Sequence, residues 1–150
     1  MATPDQASGA EEMLIQAELG ELVRVGNWIE ALAGRLSLPP ATVFAMQLCF
    51  EEAVSNIVRH GQIAPAGGNV QVRLGVERRS GTVIVTIEDH GIPFDPRMEA
   101  APAKPSRLEE VAIGGQGIHL MRKFAQHMDY ERGADVNRLT LRFDVPRGAG

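Results

Sequence analysis

Cysteine, aromatic residues and long apolar runs are all scarce in this chain of 150 residues. Its one cysteine, Cys49, cannot form an internal disulfide, which is typical of proteins from a reducing compartment. No apolar run approaches the ~20 residues that a membrane-spanning helix needs. The first residues, MATPDQASGAEE, lack the basic start and apolar centre of a secretory signal. We therefore expect a cytoplasmic protein that does not act at a membrane.

An excess of positive charge is also missing. The chain has 15 lysines and arginines against 19 acidic residues, a net charge of −4, so nothing attracts it as a whole to nucleic acid. The content of 44% hydrophobic and 23% charged residues is ordinary for a globular protein. A chain of this size typically buries roughly 70% of the surface that it would expose unfolded. The composition predicts one self-supporting domain with no direct nucleic-acid partner.

The apolar residues recur with two different periods, one helical and one typical of strands. Predicted helices cover 11–36, 41–60 and 116–128, and predicted strands cover 70–76, 83–87 and 138–145. The tight turn at 79–81 joins the first two strands as an antiparallel hairpin. These elements predict an α+β fold, a two-layer sandwich of a mostly antiparallel sheet with helices on one face.

The ends of the chain and one internal segment lack such a pattern. We expect residues 1–10 to be flexible, residues 11–147 to form the single domain, and 148–150 to be a tail. Residues 90–113 are rich in Pro, Ala and Gly and have no period. Connections of this length are usually functional or mobile.

The second predicted helix carries the first polar cluster. At 100° per residue, Glu52, Asn56 and His60 fall in one sector of the helix, opposite its apolar side. A carboxylate and an amide oxygen in this arrangement suit a magnesium–phosphate site, and the carboxylate could orient or deprotonate a hydroxyl group. Taken alone, the same pattern also fits an ordinary solvated helix face.

A second cluster follows the strand 83–87, in the sequence EDHGIPFDP. Asp89 lies where the strand ends, and Gly91 allows a ligand to approach the backbone closely. A carboxylate in a pocket can accept a hydrogen bond from an exocyclic amine such as that of adenine. The alternative is a simple turn, since Asp, Gly and Pro all favour turns.

A third cluster, Gly114 to Gly117, stands directly before the predicted helix 116–128. Glycines at a helix N-terminus expose backbone N–H groups and the positive end of the helix dipole to an anion such as phosphate. The spacing is neither that of a P-loop nor that of a dinucleotide-binding fingerprint. A flexible loop is the alternative interpretation.

Together, the order and spacing of these clusters resemble the nucleotide-binding fold of the GHKL (Bergerat-fold) ATPases, the family of gyrase, Hsp90, histidine kinases and MutL. More narrowly, the chain resembles the serine/threonine-protein kinase anti-sigma factors of bacterial partner-switching systems. The resemblance covers roughly residues 18–145. It implies ATP or ADP and Mg²⁺ as cofactors, a homodimer, and an ATP lid at about 97–113. Pro93 stands where many members have a second glycine.

The resemblance also assigns roles to residues. Glu52 would be the general base and Asn56 the Mg²⁺ ligand. Asp89 would take the adenine amino group with Thr140 beside it, and residues 115–117 would contact the phosphates. The full set of nucleotide-binding positions that it implies is Asn56, His60, Asp89, Gly91, Gly115, Gln116, Gly117 and Thr140.

The implied function is an ATP-dependent serine/threonine protein kinase. It would phosphorylate an antagonist of the STAS type and sequester a sigma factor. The alternative is a catalytically inactive nucleotide-binding module that regulates a partner protein by sequestration; only the kinase requires Glu52. An ATPase module of a larger GHKL machine ranks last, because it would need a transducer segment after the fold.

Overall fold

The computed structural model describes residues 9–60, 70–91 and 117–145. These residues form a five-stranded sheet and three α-helices. In chain order the elements are β1 (Gly9–Gln16), α1 (Leu22–Arg35), α2 (Pro40–His60), β2 (Gln71–Arg79), β3 (Thr82–Asp89), α3 (Gly117–Phe124), β4 (His127–Gly133) and β5 (Val136–Asp144). Within these ranges, no helix combines the length and apolar character needed to cross a membrane.

The sheet has the strand order β1-β2-β3-β5-β4, and every neighbouring pair is antiparallel. Along β3 the side chains alternate between buried and half-buried positions, as expected for a sheet with one face in the core. The predicted α+β fold with a mostly antiparallel sheet is confirmed. The register sets Asp89 of β3 directly opposite Asn137 of β5.

The core lies between the sheet and the helices. In α2 the buried side chains recur at intervals of three and four residues, the pattern of a helix with one apolar face. Its Pro40 stands in the first turn, where a missing N–H costs nothing. The largest fully buried side chains include Ile29, Leu32, Met46, Phe50, Leu74, Ile87, Met121 and Leu141.

Two elements differ from the prediction. Residues 9–16 form an edge strand where the helix predicted from residue 11 should begin, because eight residue pairs join β1 to β2. The predicted helix 116–128 ends at Phe124, and His127–Gly133 is an edge strand. In both segments pairing with a neighbouring strand overrides the local helical spacing.

Arg78 lies at the end of the sheet where β2 turns into β3, and its side chain connects this turn to the end of α1. It is only 8% exposed. Its Nη1 donates to the carbonyl oxygens of Leu36 (2.7 Å) and Ser37 (2.6 Å), and its Nε donates to the carbonyl oxygen of Ser80 (3.0 Å). Carbonyl groups at a helix end have no partner within the helix. The guanidinium group therefore satisfies the C-terminal end of α1 and ties it to the β2–β3 turn.

Gly75 offers a test of the sheet register. A Cβ atom at this position would lie 2.5 Å from Oγ1 of Thr86, its partner across β2 and β3, and a threonine side chain has few rotamers to escape into. We expect Gly75→Ala to lower the free energy of unfolding by about 1–2 kcal/mol, measured by urea denaturation. In a Thr86→Ala background the cost should largely disappear; an equal cost in both backgrounds would contradict the register.

Candidate functional site

The C-terminal half of α2 and the adjoining ends of β3 and β5 surround a small cavity of about 30 Å³. Both apolar and polar side chains line it. The lining residues are Ala53, Asn56, Ile57, Ile87, Asp89, Met121, Tyr130, Asn137 and Leu139. Two of the sequence-predicted site residues, Asn56 and Asp89, therefore meet here.

Asp89 is the buried carboxylate of this cavity, with 6% of its surface exposed. Its Oδ1 accepts hydrogen bonds from the backbone N–H of Gly91 (2.9 Å) and from Nδ2 of Asn137 (3.0 Å). Two donors on one oxygen fix the orientation of the carboxylate group. A fixed buried acceptor is suited to selecting a ligand that carries a hydrogen-bond donor.

Asn137 belongs to a network that connects the β4–β5 hairpin to the chain after β3. Its Oδ1 accepts from the hydroxyl of Tyr130 (2.5 Å) and from Nη1 of Arg132 (3.1 Å). The same Nη1 donates to the carbonyl oxygen of Gly91 (3.0 Å). Because the oxygen of the amide faces two donors, its nitrogen must face Asp89. The network thus sets the direction of the Asn137 amide and of the Asp89 carboxylate.

Glu52 and Asn56 lie one helical turn apart on α2. Asn56 is only 3% exposed, so it is buried at the cavity instead of lying on the open face that the helical pattern suggested. Among the described residues, its Nδ2 has no hydrogen-bond partner, and neither has the buried Oε2 of Glu52. The Nη2 of Arg59 donates to Oδ1 of Asn56. Unpaired buried polar atoms are costly, and here they lie at the site that the sequence selected.

Burial affects the pKa values of two side chains of α2, Glu52 and Cys49. Burial raises the pKa of Glu52; the charge of Arg59 opposes this shift, and that of Glu51 adds to it. Burial, with a smaller effect of the Glu52 charge, raises the pKa of Cys49 to about 12. The thiol is therefore neutral at physiological pH and does not act as a thiolate nucleophile. Glu52, in contrast, has an increased affinity for a proton.

The other predicted site residues divide into two groups. Gly115 and Gln116 and the proposed lid at 97–113 lie outside the described residues, as does the side chain of His60, whose backbone ends α2. Gly117 is the first residue of α3, and Gly91 is buried beside Asp89.

Thr140 does not meet Asp89. It pairs with Thr86 across β3 and β5, on the face of the sheet opposite the cavity, because side chains alternate along a strand. The position opposite Asp89 is held by Asn137. The expectation that a threonine stands beside Asp89 is therefore corrected: the side chain there is an asparagine.

Four residues of this site escaped the sequence analysis. Tyr130 and Arg132 lie in β4, a strand that was predicted as helix and loop. Asn137 could have been found by extending the alternation of β5 back two residues from the buried Leu139. Arg59 follows Asn56 by three residues, a spacing at which helical side chains touch.

Residues 15–143 match the family model described as a histidine kinase-like ATPase domain. The chain belongs to this family. This histidine kinase-like ATPase domain is also 32% identical over 114 residues to the serine/threonine-protein kinase BtrW of Bordetella bronchiseptica, which covers 76% of the chain and 79% of BtrW.

Solved structures show the same fold. The RsbU and RsbW domains of Rv1364c from Mycobacterium tuberculosis superpose with a TM-score of 0.64 at 13% identity, covering 91% of this histidine kinase-like ATPase domain and 32% of that chain. The histidine kinase domain of the blue-light activated histidine kinase EL346 from Erythrobacter litoralis gives a TM-score of 0.53 at 17% identity, with 87% and 62% covered. The domain thus spans about a third of the first chain and somewhat under two thirds of the second.

Proposed function

We propose that this domain is an ATP-dependent serine/threonine protein kinase that phosphorylates a STAS-type antagonist and sequesters a sigma factor. One observation carries the proposal. Glu52, whose buried Oε2 has no hydrogen-bond partner among the described residues, stands one turn from Asn56, and Asn56 lines the cavity together with Asp89. The 32% identity to a serine/threonine-protein kinase supports the choice of reaction.

Asp89 would select the nucleotide base. Its Oδ1 is held by Gly91 and Asn137, so the carboxylate presents an acceptor in a fixed direction. The amino group of adenine is a donor, whereas guanine has a carbonyl oxygen at the same ring position. A buried site built for one hydrogen-bonding pattern rejects the other, because a mismatch leaves buried polar groups unpaired.

The donor set of α2 fits a hard divalent cation. Mg²⁺ prefers oxygen ligands and usually takes only one or two from the protein, the others coming from phosphates and water. Asn56, which is buried at the cavity, would supply an amide oxygen. When bound, the ion would neutralise charge on the phosphate oxygens. In the described ranges, no cluster of three or more His, Cys, Asp or Glu side chains could hold a metal without the nucleotide.

Glu52 would act on the hydroxyl group of the protein substrate. Its raised pKa makes the carboxylate a stronger proton acceptor than an exposed glutamate. Phosphoryl transfer depends mainly on positioning and on stabilising charge, so a base that orients the attacking oxygen is an adequate contribution from the protein. Gly117, the first residue of α3, would contact the phosphates together with Gly115 and Gln116, which lie outside the described residues. The proposed active form is a homodimer, which size-exclusion chromatography with light scattering would detect.

The experiment that tests the proposal is calorimetric titration of ATP and ADP with and without Mg²⁺, followed by transfer of labelled phosphate to a STAS-domain protein. We expect Asn56→Ala to weaken the magnesium-dependent part of ATP binding by about tenfold or more, the value of one hydrogen bond or ligand at a charged group. Asn27→Ala, an exposed asparagine on α1, is the matched control and should bind as the wild type does.

The two steps separate the functions. Magnesium-dependent binding with phosphotransfer supports the kinase, whereas binding without transfer to any candidate partner favours the inactive nucleotide-binding module. A wild-type protein that binds neither nucleotide would contradict both.

A further inference from the structure

Arg59 lies one turn after Asn56 on α2, and its Nη2 donates a hydrogen bond to Oδ1 of Asn56. The two residues differ in their surroundings: the side chain of Arg59 is exposed, whereas Asn56 is 3% exposed. A positive charge thus reaches from the solvent side to the amide oxygen of the buried asparagine. That oxygen is the atom that would bind the divalent cation in the proposed function.

The contact also determines how the amide is presented. With Oδ1 facing the guanidinium group, Nδ2 is left buried and without an acceptor among the described residues. An amide nitrogen is a donor and does not ligate cations. The guanidinium group therefore contacts the one atom of the Asn56 side chain that can ligate a metal ion.

We propose that Arg59 is a built-in competitor of the divalent cation at Asn56, an inference that rests on the proposed function. A guanidinium group and Mg²⁺ on the same oxygen repel each other, so binding of the metal–nucleotide complex must displace Arg59 into the solvent. Its exposed position leaves it room to move. The free energy of the Arg59–Asn56 contact is then subtracted from that of metal binding, and the contact sets the magnesium concentration at which the nucleotide binds.

Arg59→Gln tests the competition directly. Glutamine removes the charge and the forked donor while keeping a similar helix propensity. In titrations of ATP at a series of Mg²⁺ concentrations, we expect the half-saturating Mg²⁺ concentration to fall by about 3- to 10-fold, the value of one typical hydrogen bond. Arg59→Lys keeps the charge but not the forked donor. Its half-saturating Mg²⁺ concentration should lie between those of the wild type and Arg59→Gln.

Arg142→Gln is the matched control. Arg142 is exposed on β5, opposite His127 and Ile84 in the register, and lies on the face of the sheet away from the cavity. The substitution makes the same change in net charge. It should leave the half-saturating Mg²⁺ concentration unchanged.

A second readout needs no nucleotide. Urea denaturation of the wild type, Arg59→Gln, Asn56→Ala and the double variant gives a double-mutant cycle for the contact. We expect Arg59→Gln to lower the stability of the wild type and to lower it less in the Asn56→Ala background, where the charge of Arg59 still acts on Glu52. Additive effects would show that the two side chains do not interact in solution, and would overturn the inference whatever the protein binds.

The remaining outcomes separate this inference from the proposed function. Magnesium-dependent ATP binding that Arg59→Gln leaves unshifted, or weakens, would overturn the competition and leave the proposed function standing; weakening would mean that the guanidinium group contacts the phosphates. No magnesium-dependent binding by the wild type would overturn both, even if the cycle shows coupling.

Discussion

Replacement of Glu52 by glutamine is expected to lower the rate of phosphotransfer to the protein substrate by about 100-fold or more, the usual contribution of a general base. The affinity for ATP should change little, because the proposed role of Glu52 is toward the attacking hydroxyl group. Transfer of labelled phosphate under single-turnover conditions measures the first quantity, and calorimetry the second.

The same substitution should make the protein more stable at neutral pH. Burial raises the pKa of Glu52 in the folded state, so the native protein binds a proton more tightly than the unfolded chain. Stability is then lost as the pH rises from the ordinary glutamate pKa through the raised value. Glutamine removes this penalty, and the melting temperature at pH 7 should increase. If the Glu52 carboxylate stabilised the fold, the same substitution would lower the melting temperature.

The matched control for Glu52→Gln is Glu51→Gln, the neighbouring carboxylate, which is exposed on α2. It should keep nearly the full rate of phosphotransfer. The rate of phosphotransfer by the wild type should also fall as the pH decreases, because protonation of Glu52 removes the base. The midpoint of this fall should lie above the pKa of an exposed glutamate. An enzyme that retained full phosphotransfer as Glu52→Gln would exclude Glu52 as the base.

Replacement of Asp89 by asparagine is expected to reverse the choice of nucleotide. The amide oxygen of an asparagine can still accept from Gly91 and Asn137, which now bond to Oδ1 of Asp89, so the local fold should survive. The other end of the side chain becomes a donor and opposes the amino group of adenine. We expect the affinity for ATP to fall by about 10- to 100-fold, while inosine triphosphate, with a carbonyl oxygen at that ring position, should bind better than to the wild type.

Asp135→Asn provides the control for this experiment. Asp135 is exposed in the β4–β5 turn at φ 62°, a left-handed conformation that asparagine accepts, so the identical chemical change should leave both affinities as they are. Calorimetry with the two nucleotides measures the ratio. Equal weakening of both nucleotides in Asp89→Asn would mean that Asp89 holds the pocket together without reading the base.

The sequence alone was sufficient to predict the layered fold, and it selected two residues, Asn56 and Asp89, that the fold brings to the same cavity. Period-two alternation gave β2, β3 and β5, and the order of the polar clusters selected Glu52, Asn56 and Asp89. These predictions succeeded because each pattern lies in an element with one strongly apolar face. The edge strands β1 and β4 were missed, since an edge strand is held by only one neighbour and its pattern is diluted by charged residues.

The side chain that lies beside Asp89 could be identified only from the pairing of β3 with β5. Thr140 and Asn137 are three residues apart, so they lie on opposite faces of β5; a motif assigned by residue type chose the wrong one, whereas parity along the strand would have chosen correctly. The Arg59–Asn56 contact and the bonds of Arg132 depend on rotamers, which no linear pattern specifies.

The hydrogen bonds of Arg78 affect where the domain can accept changes in its sequence. These hydrogen bonds to Leu36, Ser37 and Ser80 fasten the end of the molecule where α2 begins and β3 starts, whereas Asn56 and Asp89 lie near the opposite ends of the same two elements. The hydrogen bonds of Arg78 thus hold the helix and the sheet together at the end away from the candidate site. A reporter peptide inserted between Ser80 and Gly81 should therefore lower the free energy of unfolding, because it disturbs the turn whose carbonyl oxygen accepts from Arg78.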